Sequence, residues 1–340
     1  MKYRFLSACA AAACVCALAV AAGAAPRAGR AAQETKQAEP KVSGGERSAA
    51  EKVDKAKGPE AKLQAAAEFV RKYPQSALRP KVAEVVAAEI GATADAQLKA
   101  SLASAYLDIF NAPGEGDRMG LLLLDTYIAS DNAEEAFRAA GPWLQKNPDD
   151  VETLRRLATT ALNASIRGNN TFLARGRQYG EKALELLAAD KRPASIDEAQ
   201  WAKAKAEWTP ALHREVGVIA FRAGDEDVAQ KHLEQAAALK HPDPIVYLIL
   251  SDIATKEYNL LAREHAVAAP AEKAERLKKA EAGLDLLIER YAQVMAVTEG
   301  QPQYDAARAQ VKQDLENYYK FRHKGSTEGL QQLIDKYKQK

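Results

Sequence analysis

Residues 216–242 read VGVIAFRAGDEDVAQKHLEQAAALKHP, and this stretch decides the fold class. Val216, Gly217 and Ala220 recur at helical spacing, Gly224-Asp225 interrupts, Ala229, Leu233 and Ala236 resume the spacing, and Pro242 closes the unit. Two apolar stripes of three- and four-residue period, parted by a two-residue break, describe two helices folded back on each other. A half-buried strand would alternate every second residue instead.

Residues 123–148 repeat the pattern. Leu123, Leu124 and Tyr127 lie on a leading helix, Asp131-Asn132 makes the turn, Ala136, Ala140 and Trp143 lie on the second helix, and Pro148 stops it. Both windows place a central alanine twelve residues after a leading-helix position: Leu124 to Ala136, and Gly217 to Ala229. Working outward, the same periodicity predicts helices over 60–72, 77–90, 95–110, 117–129, 133–146, 150–164, 172–188, 196–207, 210–223, 226–239, 244–267, 271–297, 303–322 and 327–338. Ser195 with Glu198 forms a capping-box pattern, and Gly325-Ser326 can end one helix and start another. Short connections between consecutive helices make antiparallel hairpins the building unit.

The two windows resemble the tetratricopeptide repeat family, whose unit is a helical hairpin with small and large residues at set places. Leu124 stands where the family usually has glycine, neither window has a tryptophan early in its leading helix, and Pro242 falls one residue late. Weaker matches include Ala66 and Phe69 before Pro74, and Leu154, Leu157 and Ala161 paired with Ala183. The resemblance implies an all-α, right-handed solenoid of antiparallel hairpins over 59–268, followed by a C-terminal helical hairpin and cap over 269–340. Tyr318 to His323, with Leu330, Leu333 and Ile334, supply that cap, which keeps the last apolar face from water. Their mixture of aromatic and basic side chains also suits a docking patch.

Residues 1–24 have the layout of a secretory signal: Lys2 and Arg4, an apolar run from Phe5 to Ala22, then small residues to Ala24. Cleavage near Ala24 is the expectation, with a periplasmic or secreted location. A retained membrane helix and lipidation at Cys9 are the alternatives. Cys9, Cys14 and Cys16 all lie in this leader, so the processed chain has no disulfide and no thiolate ligand. Residues 25–58 read as a disordered spacer, because a helix around 49–56 lacks an obvious apolar face.

The chain carries 48 basic and 46 acidic residues, and loss of the leader removes two basic residues and no acid, which leaves the charges balanced. Such a balance gives no general attraction to nucleic acid. The five histidines show no metal-ligand spacing; His213 and His232 lie on the two helices of one hairpin and can meet, but packing histidines are the commoner case and no metal or other cofactor is expected. No nucleophile elbow is present, and Gly114 to Gly120 has the wrong spacing for a phosphate loop and no strand before it.

The sequence therefore reads as a non-catalytic scaffold for protein or peptide partners, in a monomer, without nucleic-acid binding. An envelope-assembly factor held near a membrane by its leader and a hydrolase with an unrecognised cleft are the alternatives. In the resembling family the leading helices line a concave groove. Carried onto this chain, that geometry nominates Asp125, Arg155, Thr159, Asn163, Arg214, Arg222, Asp252 and Lys256 as partner-binding residues. The asparagine-and-lysine clamp that some members use for a terminal carboxylate is not reproduced, since Asp125, Thr159 and Val218 occupy corresponding positions.

Overall fold

A computed structural model of the chain describes residues 42–193 and 196–338. Capping chemistry punctuates the chain and sets the lengths of its helices. Ser43, Asp95, Asn132, Asp150, Asp197, Asp225 and Asp243 each accept a backbone N–H from the first turn of the helix they precede. The helices are α1 (Gly44–Lys55), α2 (Pro59–Lys72), α3 (Arg79–Ala92), α4 (Ala96–Ile109), α5 (Asp117–Ala129), α6 (Ala133–Lys146) and α7 (Val151–Ile166). There follow α8 (Leu173–Ala188), α9 (Glu198–Arg222), α10 (Glu226–Ala238), α11 (Pro244–Val267), α12 (Lys273–Val297), α13 (Asp305–Arg322) and α14 (Leu330–Lys336). Among the described residues there is no strand, and no helix is long and apolar enough to cross a membrane.

Each helix from α1 to α12 packs on its successor, as in a helical solenoid, while α14 packs on α12. In the middle of the chain α5, α7, α9 and α11 also touch one another in turn. They form a continuous row, and α6, α8 and α10 each pack against members of it. The apolar interior is correspondingly drawn out into successive clusters, one from Val53 to Leu123, two through the middle helices, and one from Leu162 to Leu330. Small residues let these layers close. A Cβ built on Gly217 would stand 2.6 Å from Leu233 Cγ, so α9 and α10 meet there at a separation that only glycine allows. Gly224, at φ +83°, makes the turn between the same two helices.

Three expectations need correction or restriction. The spacer over 25–58 does not extend through α1: Ser43 and Glu46 form a capping box, Val53 is fully buried, and Ala49 and Ala50 pack on the same cluster. The docking face is built of alanines and one valine, set against an otherwise polar helix. Lys62 Nζ closes the far end of α1 by donating to the carbonyls of Val53 (3.4 Å) and Asp54 (3.0 Å). Secondly, the two helices expected at 196–207 and 210–223 are one helix, α9, running through Pro210. An interior proline costs a helix about 3 kcal/mol. Here Trp201 and Leu212, on either side of it, bury in one cluster with α7 and α8, so packing spans the break. Thirdly, Ser195 and residues 1–41 lie outside the described residues, so the proposed capping serine and the leader have no structural counterpart to compare; Asp197 Oδ1 caps α9, 2.8 Å from Gln200 N.

The expected boundary at 268/269 falls in the turn between α11 and α12, whose buried residues belong to one cluster with α9, α10, α13 and α14. Leu330 is buried at the end of that cluster, and Tyr319 Oη donates to the Glu328 carbonyl at 2.8 Å, fixing the approach to α14. Tyr318 packs between Tyr258 and Tyr291, which leaves Phe321, 74% exposed, as the accessible aromatic ring of the 318–323 segment.

Candidate functional site

All eight nominated residues lie on the row α5–α7–α9–α11: Asp125 on α5; Arg155, Thr159 and Asn163 on α7; Arg214 and Arg222 on α9; Asp252 and Lys256 on α11. Most of them tie the row together. Asp125 pairs with Arg156 of α7. Arg214 Nε donates to Asp243 Oδ2 at 2.9 Å, while Oδ1 of the same carboxylate caps α11 by accepting Ile245 N at 3.0 Å. Arg222 reaches back from α9 to the end of α7, donating from Nε to Ser165 Oγ and from Nη2 to the Ser165 carbonyl, both at 2.6 Å. Lys256 joins Glu226 (2.6 Å) and Asp252 (2.9 Å), with its ammonium 5.5 Å from the Phe221 ring centroid. Asn163 is exposed on α7.

The exception is the seam between α7 and α9. Arg155 lays its guanidinium over the indole of Trp208, 4.8 Å from the ring centroid, and its Nε is sealed from solvent with no hydrogen-bond partner. Trp208 in turn meets Trp201 edge-on at 6.2 Å. One turn along α7, Thr159 Oγ1 donates to Glu215 Oε1 at 2.9 Å. Glu215 Oε2 is buried without a partner, although the residue as a whole keeps partial exposure. Desolvation pushes this carboxyl up from the ordinary range; the Thr159 hydrogen bond and the charges of Arg155 and Arg214 only partly oppose it. A sealed donor and a sealed acceptor face each other's helices without closing an ion pair. Unsatisfied groups of this kind typically cost about 1–3 kcal/mol each.

Neither Trp208 nor Glu215 was nominated from sequence. Glu215 carries a signal in retrospect: it is an acid bracketed by Leu212, Val216 and Ile219, all buried at helical spacing. Trp208 carries none, because it sits in the gap between the helices expected at 196–207 and 210–223.

On the other side of α9, away from these residues in sequence register, lies a histidine pair. His213 Nδ1 of α9 and His232 Nδ1 of α10 are 3.1 Å apart, with ring centroids 5.2 Å apart and planes inclined at 39°. Burial lowers both pKa values from the ordinary imidazole range; for His232 burial, then the charge of its neighbour His213 and those of Lys231 and Arg177, bring it to about 4. The two rings border a cavity of about 510 Å³ walled by Glu181, Glu185 and Leu184 of α8 and floored by Lys205 and Thr209 of α9. A second cavity, also about 510 Å³, opens between α4, α5 and α6 and is lined by Leu107, Phe110, Leu123, Pro142 and Trp143, with the Asp117–Lys146 ion pair (2.6 Å) at its rim.

No protein-family model matches the chain, and no curated protein matches it either.

Proposed function

We propose that the protein is a non-catalytic scaffold that binds an extended peptide or a partner protein along the row α5–α7–α9–α11, with the Arg155–Trp208 seam at its centre. The observation carrying this reading is Arg155. Its neighbours Arg156, Arg214 and Arg222 are each engaged by a carboxylate or a carbonyl, whereas Arg155 Nε has no acceptor among the described residues and its guanidinium lies over Trp208. A guanidinium held against an indole is preorganised by stacking, so little side-chain freedom is lost when a partner's carbonyl or carboxylate takes its terminal Nη donors. The contacting row is also the arrangement that the tetratricopeptide resemblance implies for leading helices. We take the solenoid as right-handed on that resemblance, and the leader as cleaved near Ala24, which puts the scaffold outside the cytoplasm.

Proximity crosslinking of the processed protein in its native envelope identifies the partner, and direct titration of that partner then tests the seam. Arg155→Ala is expected to weaken binding by roughly ten- to a hundredfold, the range for losing a charged hydrogen-bonding anchor. Equal affinity for wild type and Arg155→Ala, with the protein folded, would remove the seam from the interface and turn attention to the exposed Phe321 or the cleft at Trp143.

A further inference from the structure

The second face of α9 carries its own chemistry, independent of the scaffold reading. We infer that His213 and His232 bind a single divalent late transition-metal ion, of the zinc or copper(II) class, through their Nδ1 atoms, with Glu181 of α8 supplying a third ligand.

The argument starts from one distance. Two imidazole nitrogens that share a zinc ion each lie about 2.0–2.1 Å from it. At the observed separation of 3.1 Å they subtend roughly 95–100° at the metal, an angle that both distorted tetrahedral and tetragonal sites accept. The two rings come from different helices, α9 and α10, whose spacing is locked at Gly217 and by the buried Leu233. The pair is therefore held by the backbone and does not depend on two mobile side chains finding each other. With burial keeping both rings neutral near pH 7, one Nδ1–H donates to the other Nδ1 when no ion is present. An incoming cation takes both Nδ1 lone pairs once the donating ring has moved its proton from Nδ1 to Nε2, so both rings stay neutral and no net proton is released.

The cavity beside the pair supplies the rest. Among the described residues no three His, Cys, Asp or Glu side chains already converge, so the third ligand has to swing in. Glu181 is placed for this. It lines the same cavity, and the cation paired with it among the described residues, Arg177, stands 3.8 Å away while that arginine makes its close pair, 2.7 Å, with Asp225. Glu185 lines the cavity further along α8 and is held at 3.3 Å by Lys182. Of the nearby cations, Lys205 is paired with Asp190 at 3.0 Å and Lys231 is exposed, free to turn its ammonium into water. An ion so bound would tie α8, α9 and α10 together at one point, with water in the remaining positions.

The test uses the full processed chain, with zinc chloride followed by calorimetry and copper(II) chloride followed by electron paramagnetic resonance. One ion per chain is expected, with a copper spectrum showing two imidazole nitrogens. His213→Ala and His232→Ala should each lower affinity at least about a hundredfold, and Glu181→Gln about tenfold, in line with the effect of losing primary and supporting ligands. A triple variant lacking His241, His265 and His323 should bind as wild type. Circular dichroism without metal checks that each variant is folded. In the wild type itself, zinc must shift the His213 and His232 ring resonances, a readout that needs no substitution. The inference is overturned if there is no saturable uptake at metal concentrations up to about 1 mM, the weak limit of specific binding, or if both single histidine variants bind unchanged. An unaltered Glu181→Gln variant removes Glu181 from the site.

Discussion

Glu115→Gln tests how the N-terminal helices are held in register. Arg79 opens α3 and Glu115 sits in the connection between α4 and α5, yet they form a two-point pair: Nε to Oε1 at 2.6 Å and Nη2 to Oε2 at 2.9 Å. The side chains are only 12% and 14% exposed. The same guanidinium donates to the carbonyls of Pro74 and Ile109, each at 3.2 Å, and Ala112 N donates to Glu115 Oε2 at 3.1 Å. One ion pair thus gathers the approach to α3, the end of α4 and the approach to α5. Removing one member of a buried pair costs about 3–5 kcal/mol, because the other charge is left desolvated. Glutamine retains one acceptor, so the lower end, about 3 kcal/mol, is expected, or a fall in Tm of roughly 4–6 °C if the whole chain unfolds together. Thermal and urea melts of Glu115→Gln, Arg79→Met and the double variant measure it. The cycle should return a coupling of at least about 2 kcal/mol. Acid provides a second readout. The Arg79 hydrogen bonds, then that from Ala112, hold the Glu115 pKa below the usual carboxylate value against desolvation. Below the unfolded-state value the unfolded chain binds the extra proton first, so the pair's stabilisation is complete above that value and disappears as pH falls through the folded one. Glu115→Gln should lack this component of the acid limb. A Tm change within about 2 °C and a coupling near zero would place the pair with ordinary surface ion pairs and refute the reasoning.

Gly217→Ala should destabilise by about 1–3 kcal/mol through overpacking against Leu233, although alanine is the better helix former by about 1 kcal/mol; a rise in Tm would mean that α9 and α10 separate more readily than their contact implies. Pro210→Ala should do the opposite, since it restores the hydrogen bond to the Ala206 carbonyl inside a helix that is already continuous. A gain of up to about 3 kcal/mol in urea unfolding is expected, and a loss would show that the proline shapes a bend on which the packing of Trp201 and Leu212 depends.

Helix positions were legible because apolar periodicity and capping residues act locally: the expected 117–129, 133–146 and 244–267 coincide with α5, α6 and α11. Where reading failed, a longer-range term outweighed the local one. Pro210 is a helix breaker by propensity, but the cluster joining Trp201 to Leu212 lies on both sides of it. Gly44 to Lys55 is polar by composition, but a single buried valine with two alanines suffices to dock it against α2 and α3. The candidate face was legible as a row and illegible as a site. Helical spacing can place Arg155, Arg214 and Arg222 on neighbouring helices, but which arginine finds an acceptor depends on residues 29 and 57 positions away, Asp243 and Ser165. Arg155 differs from them through Trp208, a residue whose role depends on α9 continuing through the proline. The histidine pair follows the same logic. Hairpin geometry brings positions 213 and 232 opposite one another, while the absence of a Cβ at Gly217 lets α10 come near enough for the rings to meet at Nδ1. Gly217→Ala therefore bears on more than packing: by pushing α10 outward it should lengthen the His213–His232 separation and weaken metal uptake along with stability. A folded Gly217→Ala chain that still binds zinc as wild type would show that the histidines are positioned by their own contacts and not by the close approach of the two helices.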